Sequence, residues 1–213
     1  MNVYTLVRVF RNMWSDSTET GDKLVRGAFV LVVGRVMMKA LQFARTVILA
    51  RLLFPEDIGL FGLAALSLGA MDLFLQPGFY AALVQEKRDP SQYLDTAWAG
   101  QIIRNTVVAI LVFFAAPFLG DFFGRTDIIP LTQVMAFSVC IAGFENIGIV
   151  LLQRELRFNR KFLFDISAIL FEVIVVIIAG FILRNAWALV IGALAHRVGT
   201  VVFSYVYHPY RPK

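Results

Sequence analysis

Six apolar stretches of about 20 residues each, set between short charged segments, constrain this 213-residue chain more than any single motif does. At a rise of ~1.5 Å per residue, a helix of that length crosses the hydrocarbon of a bilayer. The stretches fall near 27–50, 58–84, 95–119, 128–152, 163–183 and 186–207. With 59% hydrophobic and only 16% charged residues, a water-soluble core accounts for them poorly. The expected fold is all-α: a polytopic membrane protein with six transmembrane helices forming one lobe over residues 24–213. Residues 1–23 precede it as a separate segment.

The basic residues orient that lobe. Of 20 Lys and Arg, twelve fall on one side: Arg8, Arg11, Lys23, Arg26, Lys87, Arg88, Arg154, Arg157, Arg160, Lys161, Arg211 and Lys213. Only Arg51, Arg125 and Arg184 fall on the other. Moving the count by one helix inverts the bias, so the six-helix reading and a cytoplasmic placement of both termini support each other. The net charge of +5 sits in these juxtamembrane segments and not on a continuous polar face. It therefore reads as topology signal and anionic-lipid contact, with no nucleic-acid partner.

Residues 1–23 do not resemble a cleaved signal, because Arg8 and Arg11 interrupt the stretch and no A-x-A-like site follows an apolar run. Val3, Leu6, Val7, Phe10, Met13 and Trp14 recur at helical spacing, which predicts a short amphipathic helix in the cytoplasmic interface. A loose tail is the alternative. The single Cys140 lies in an apolar run, so neither a disulfide framework nor a Cys-ligated metal site is expected. His196 and Arg197 read as packing or inter-lobe residues, since no second His or Cys stands at ligand spacing. No inserted soluble domain is visible, so no catalytic domain and no cofactor are expected.

The remaining five basic residues, Arg35, Lys39, Arg45, Arg104 and Arg197, lie within the apolar stretches. A charge at mid-bilayer costs about 2.5–3.5 kcal/mol on insertion scales and normally faces protein or a wet cavity. Taking Arg35 as zero, helical periodicity puts Lys39, Gln42 and Arg45 at about 40°, 340° and 280°, one polar stripe roughly 15 Å long. Three carboxylates, Asp72, Glu145 and Glu172, also lie in the stretches, two fewer than the five cations. They read either as counter-ions serving helix packing or as groups coupling proton or cation movement to a conformational cycle. Arg104 either salt-bridges Asp95 or Asp72 or meets an anion entering from the inner leaflet. Gln76-Pro77-Gly78 removes a helix hydrogen bond, so Pro77 and Gly78 are hinge candidates or a passive kink.

Residues 49–60, LARLLFPEDIGL, resemble the junction between the first two helices of the oligosaccharide flippase and polysaccharide exporter family, the Wzx-like branch of the flippase and multidrug-exporter superfamily. Further stretches match in order: ALVQEKR at 82–88, DTAWAGQIIRN at 95–105, LLQRELRFNRKF at 151–162, AWALVIGALA at 186–195 and the closing HPYRPK. In the junction, Pro55 suits a helix start, Glu56 and Asp57 suit the positive end of the second helix, and Gly59 suits close helix approach.

The resemblance implies two lobes around a central cavity, and this chain matches the N-terminal one. Since six helices return the chain to the starting side, a second lobe would be a parallel repeat. The implied activity is transport of a lipid-linked oligosaccharide, a polyprenyl diphosphate carrier, in lipopolysaccharide or exopolysaccharide export at the bacterial inner membrane. Arg35, Lys39, Gln42, Arg45 and Arg104 would then be substrate-binding candidates, because Arg grips phosphate bidentately and Lys supplies a point charge. The alternatives are a multidrug or other small-molecule exporter of the same superfamily, or a truncated or accessory subunit without transport of its own. A homodimer and a separate second chain are both open as the missing lobe. A membrane-embedded ligase or polymerase is disfavoured by the small outer loops.

Overall fold

The computed structural model describes residues 19–74, 94–154 and 157–211. The N-terminal stretch 1–18, the ALVQEKR segment and the hinge candidates Pro77 and Gly78 lie outside them, as do the side chains of Lys23, Arg26 and Asp72. Among the described residues the architecture is entirely helical: α1 (Glu19–Leu52), α2 (Pro55–Phe74), α3 (Leu94–Phe123), α4 (Ile128–Ala142), α5 (Ile149–Arg154), α6 (Phe158–Leu183) and α7 (Ala186–Tyr207).

The helices pack in an order different from their order in sequence. The helix α1 lies along α6, α6 along α7, α7 along α4 and α4 along α3, while α2 packs on α4, α7 and α3. Three apolar clusters tie this series together. Leu49, Leu53, Val176 and Leu189 join α1 to α6 and α7. Ala64, Ile128, Leu131, Met135, Ala186 and Val190 gather α2, α4 and α7. Val108, Ala109 and Val112 of α3 meet Ala136 and Val139 of α4. The closest approach of α6 and α7 depends on Gly192, where a Cβ would stand 2.5 Å from Val176 Cγ2.

Among the described residues three helices, α3, α6 and α7, are long and apolar enough to cross a membrane. Their outward faces carry large exposed apolar side chains, among them Phe114, Phe118, Phe122, Phe181 and Ile182. Surface of this kind is unfavourable in water and favourable against lipid tails. The chain is a membrane protein.

The fourth apolar stretch, expected as one helix over 128–152, is instead two. The helix α4 stops at Ala142, after which Gly143, Phe144 and Glu145 make only tight turn bonds back to Cys140, Ile141 and Ala142. Helix resumes at Ile149. Two glycines and Asn146 within six residues weaken the helix here, and the Asn side chain competes with the backbone ladder by accepting from Gly148 N–H at 2.9 Å.

The junction motif is structural in a way its sequence only half discloses. Pro55 opens α2 as expected for a first helical position. Glu56, however, reaches Arg125 Nη2 at 2.8 Å, and Asp57 Oδ1 accepts the N–H of Ala186 at 3.0 Å. Asp57 therefore caps α7, alongside the N-cap Asn185, whose side chain accepts from Trp187 N–H. A Cβ on Gly59 would have nothing within 4 Å among the described residues, so no close helix approach there requires glycine.

Candidate functional site

The interruption between α4 and α5 brings a carboxylate and loose backbone into the interior of the lobe. Three carbonyls released by it, those of Ala142, Gly143 and Glu145, lie 3.2–3.3 Å from Gln101 Nε2 of α3. Within a bilayer such groups must be satisfied by the protein or by a water-filled cavity, since lipid offers no partner. The α3 backbone comes close enough to do this because residue 143 is glycine: a Cβ there would meet Ile102 Cα at 3.3 Å.

Around this interruption is a cavity of about 780 Å³, walled by all of the long helices. Gln42 and Arg45 enter it from α1, Gln101 and Arg104 from α3, Glu172 from α6, and His196 and Arg197 from α7, with Glu145 at the interruption itself. A second chamber of about 470 Å³ adjoins it and shares Gln42, Gln101, Glu145 and His196 as a common wall. Lys161, Asp165, Asn146 and Thr200 line the second chamber.

The charges within are arranged in groups. Arg45 Nη1 pairs with Glu172 Oε1, and His196 Nδ1 lies 2.9 Å from Glu172 Oε2, close enough for ion pairing but out of line for a hydrogen bond. Lys161 pairs with Asp165 one turn further along α6. Arg104 Nη1 donates to the Asn105 side-chain oxygen at 3.3 Å. Among the described residues, four cations (Arg45, Arg104, Arg197, Lys161) and three carboxylates (Glu145, Glu172, Asp165) line the two chambers.

Five of the substrate-binding and counter-ion candidates thus come together, Gln42, Arg45, Arg104, Glu145 and Glu172, and His196 and Arg197 join them in the same wall. Arg35 and Lys39 are exposed and outside the lining of both chambers. The lining edge of α1 runs through Met38, Gln42 and Arg45, so the stripe read from periodicity overlaps the cavity along only one side. The α2 helix includes position 72, but the side chain of Asp72 lies outside the described residues. Asp165 escapes the sequence reasoning, although a carboxylate four residues after Lys161 is a pairing signal on a helix. His196 reads as a packing residue from sequence; its contact with Glu172 is visible only in three dimensions. Among the described residues no group of three or more His, Cys, Asp or Glu side chains is placed to hold a metal ion.

A third set of contacts anchors Asn146, which lines the second chamber. Asn146, with no exposed surface, donates its backbone N–H to Ser204 Oγ at 2.9 Å and its side-chain amide to the Tyr210 carbonyl at 2.8 Å. The Tyr210 hydroxyl donates to Asp95 at the start of α3. Burial, reinforced by the hydrogen bond to Asp95, holds the Tyr210 phenol above its ordinary range.

A family model described as polysaccharide biosynthesis protein matches residues 48–213. The lipopolysaccharide biosynthesis protein WzxC of Escherichia coli (strain K12) is 23% identical over 193 residues, covering 88% of this chain and 39% of WzxC. The teichuronic acid biosynthesis protein TuaB of Bacillus subtilis (strain 168) is 26% identical over 87 residues, 41% of this chain and 18% of TuaB. The chain therefore spans about two fifths or less of the length of these curated relatives. No solved structure matches it. With a family match that runs from the junction motif through α2 to α7 and the HPYR segment, this chain belongs to the polysaccharide biosynthesis protein family.

Proposed function

We propose that this chain is one lobe of a flippase that carries a polyprenyl-diphosphate-linked oligosaccharide across the bacterial inner membrane, and that it is a transporter and not an enzyme. The observation that carries the reading is the interior cavity of about 780 Å³ with Arg45, Arg104 and Arg197 in its wall. An apolar bundle has no use for such charges at membrane depth, whereas a diphosphate in transit requires them. The names of the two relatives refer to the synthesis of lipopolysaccharide and of teichuronic acid, both cell-surface glycans, and support the same cargo class.

In this reading the chain makes six crossings with both termini cytoplasmic, α4 and α5 together forming one discontinuous span of the type found at transporter binding sites. Arg45 and Arg104 meet the diphosphate, with Arg35 and Lys39 further along α1 as contacts during entry. The amides, hydroxyl and carboxylate of the adjoining chamber suit the hydroxyls of a sugar. Transport follows from rocking this lobe against a second one, whether the remainder of a longer chain, a separate chain or another copy. Pro77 and Gly78 are the hinge candidates, and Asp72, Glu145 and Glu172 the candidates for counter-ion or coupling duty. Three arginines in the cavity wall favour an anionic cargo over the rival reading of a multidrug or other small-molecule exporter.

The test is reconstitution in proteoliposomes with a fluorescent polyprenyl-diphosphate oligosaccharide, after measuring the mass of the assembly in nanodiscs. The expected result is protein-dependent translocation by a two-lobed assembly that is lost on Arg104→Gln. Carrier binding and translocation indistinguishable between the protein and its Arg45→Gln/Arg104→Gln variant would overturn the reading.

A further inference from the structure

The short segment after α7 makes more directed polar contacts than its length requires, and they converge on the place where α4 is interrupted. Asn146 receives the segment through the Tyr210 carbonyl and is itself anchored to Ser204 in the last turn of α7. Tyr210 spans to Asp95 of α3. Arg211 returns to the carbonyls of Tyr205, His208 and Tyr210 at 2.9–3.1 Å, which fixes the segment against its own helix. From that helix, Tyr205 donates its hydroxyl to the Phe144 carbonyl at 3.1 Å, on the other flank of Glu145. The fit is close: a Cβ on Gly148 would stand 2.3 Å from His208 Nδ1.

Glu145 is thus bracketed. Phe144 before it is held by Tyr205, Asn146 after it by Ser204 and Tyr210, and its own carbonyl lies beside Gln101. Gly143, Asn146 and Gly148 weaken the helix here, but apolar Ile141, Ile147, Ile149 and Val150 flank them and no proline stands among 141–150, so local sequence alone does not fix the interruption and the outside contacts add a hold. We propose that His208–Arg211 is a strap that keeps the α4–α5 interruption open and thereby holds Glu145 in the wall shared by the two chambers, with Asn146 and Tyr210 as positioning residues. When the strap lets go, the interruption closes toward helix and Glu145 turns out of the cavity, which would make the strap the point where movement beyond α7 reaches the site.

The inference deepens the transporter reading, since the cavity is the one assigned above, but its test needs no substrate, so the two fail separately. In a Cys140→Ala background, Glu145→Cys is labelled in nanodiscs with a water-soluble maleimide, and Thr46→Cys, on the α1 wall of the cavity, serves as reference. Adding Asn146→Ala is expected to slow labelling at 145 by about fivefold or more while leaving the rate at 46 unchanged. Tyr210→Phe, which removes a single hydroxyl, carries the same test if Asn146→Ala does not fold. Unchanged or faster labelling at 145 in a folded variant would overturn the inference, as would an equal loss at both positions, which would mark a global collapse of the cavity.

Discussion

Arg45 of α1 pairs with Glu172 of α6 across 127 positions of sequence, and the second oxygen of the same carboxylate lies beside His196 of α7. One carboxylate thus links three helices at the wall of the cavity. The pair is mostly withdrawn from solvent, with side-chain exposures of 26% for Arg45 and 10% for Glu172.

Removing one partner of such a pair leaves an uncompensated charge, which costs more than the pair contributed. Glu172→Gln is expected to lower stability by about 2–4 kcal/mol, and Arg45→Gln/Glu172→Gln to recover a large part of that loss. Thermal unfolding of Glu172→Gln, Arg45→Gln and the double variant in one detergent checks this. Strict additivity of the two single changes would show that the residues do not interact.

The cap that Asp57 places on α7 predicts a graded effect. Asp57→Ala removes the acceptor for Ala186 N–H and should cost about 1 kcal/mol, whereas Asp57→Asn keeps a side-chain oxygen and should cost less. If Asn and Ala destabilise equally in a thermal scan, the hydrogen bond is not the source of the effect.

Glycine replacements should separate packing from conformational freedom. Gly192→Ala drives a methyl into Val176 at the α6–α7 contact and is expected to cost about 1–3 kcal/mol. Gly59→Ala, in open space within α2, should be neutral or stabilising by up to about 1 kcal/mol. Comparison of unfolding midpoints decides the matter, and a reversed order would contradict the packing described.

For the cavity, Arg104→Gln and Arg197→Gln are each expected to reduce affinity for the polyprenyl-diphosphate carrier about tenfold, the worth of one charge-assisted hydrogen bond of ~1.5 kcal/mol. Arg184→Gln, in the tight turn between α6 and α7, should leave it unchanged. Equal losses for all three would point to net charge and not to the cavity.

Some of the site was legible because it depends on local chemistry. The cost of placing Arg45, Arg104, Glu145 and Glu172 among apolar residues marks them without knowledge of their neighbours. Asp57 illustrates the opposite case: its sequence position at the start of α2 suggests a local cap, yet its partner is the N-terminus of a helix 129 residues away. The interruption of α4 was hidden because hydropathy averages over the side chains of 143–150 and is blind to a backbone turn among them.

What the amino-acid sequence determined by itself is the membrane as solvent, the helical class of the lobe and the presence of charge at membrane depth, because length, hydropathy and the cost of a buried ion are properties of residues taken one at a time. Only the tertiary structure decided which charges share a cavity, that Arg35 and Lys39 stand outside its lining, and that Glu145 is held there by Asn146, Gln101 and Tyr205. Those outcomes depend on distances between helices far apart in the chain, and such distances are set by packing at places like Gly143, Gly148 and Gly192, where a single methyl group would change the approach.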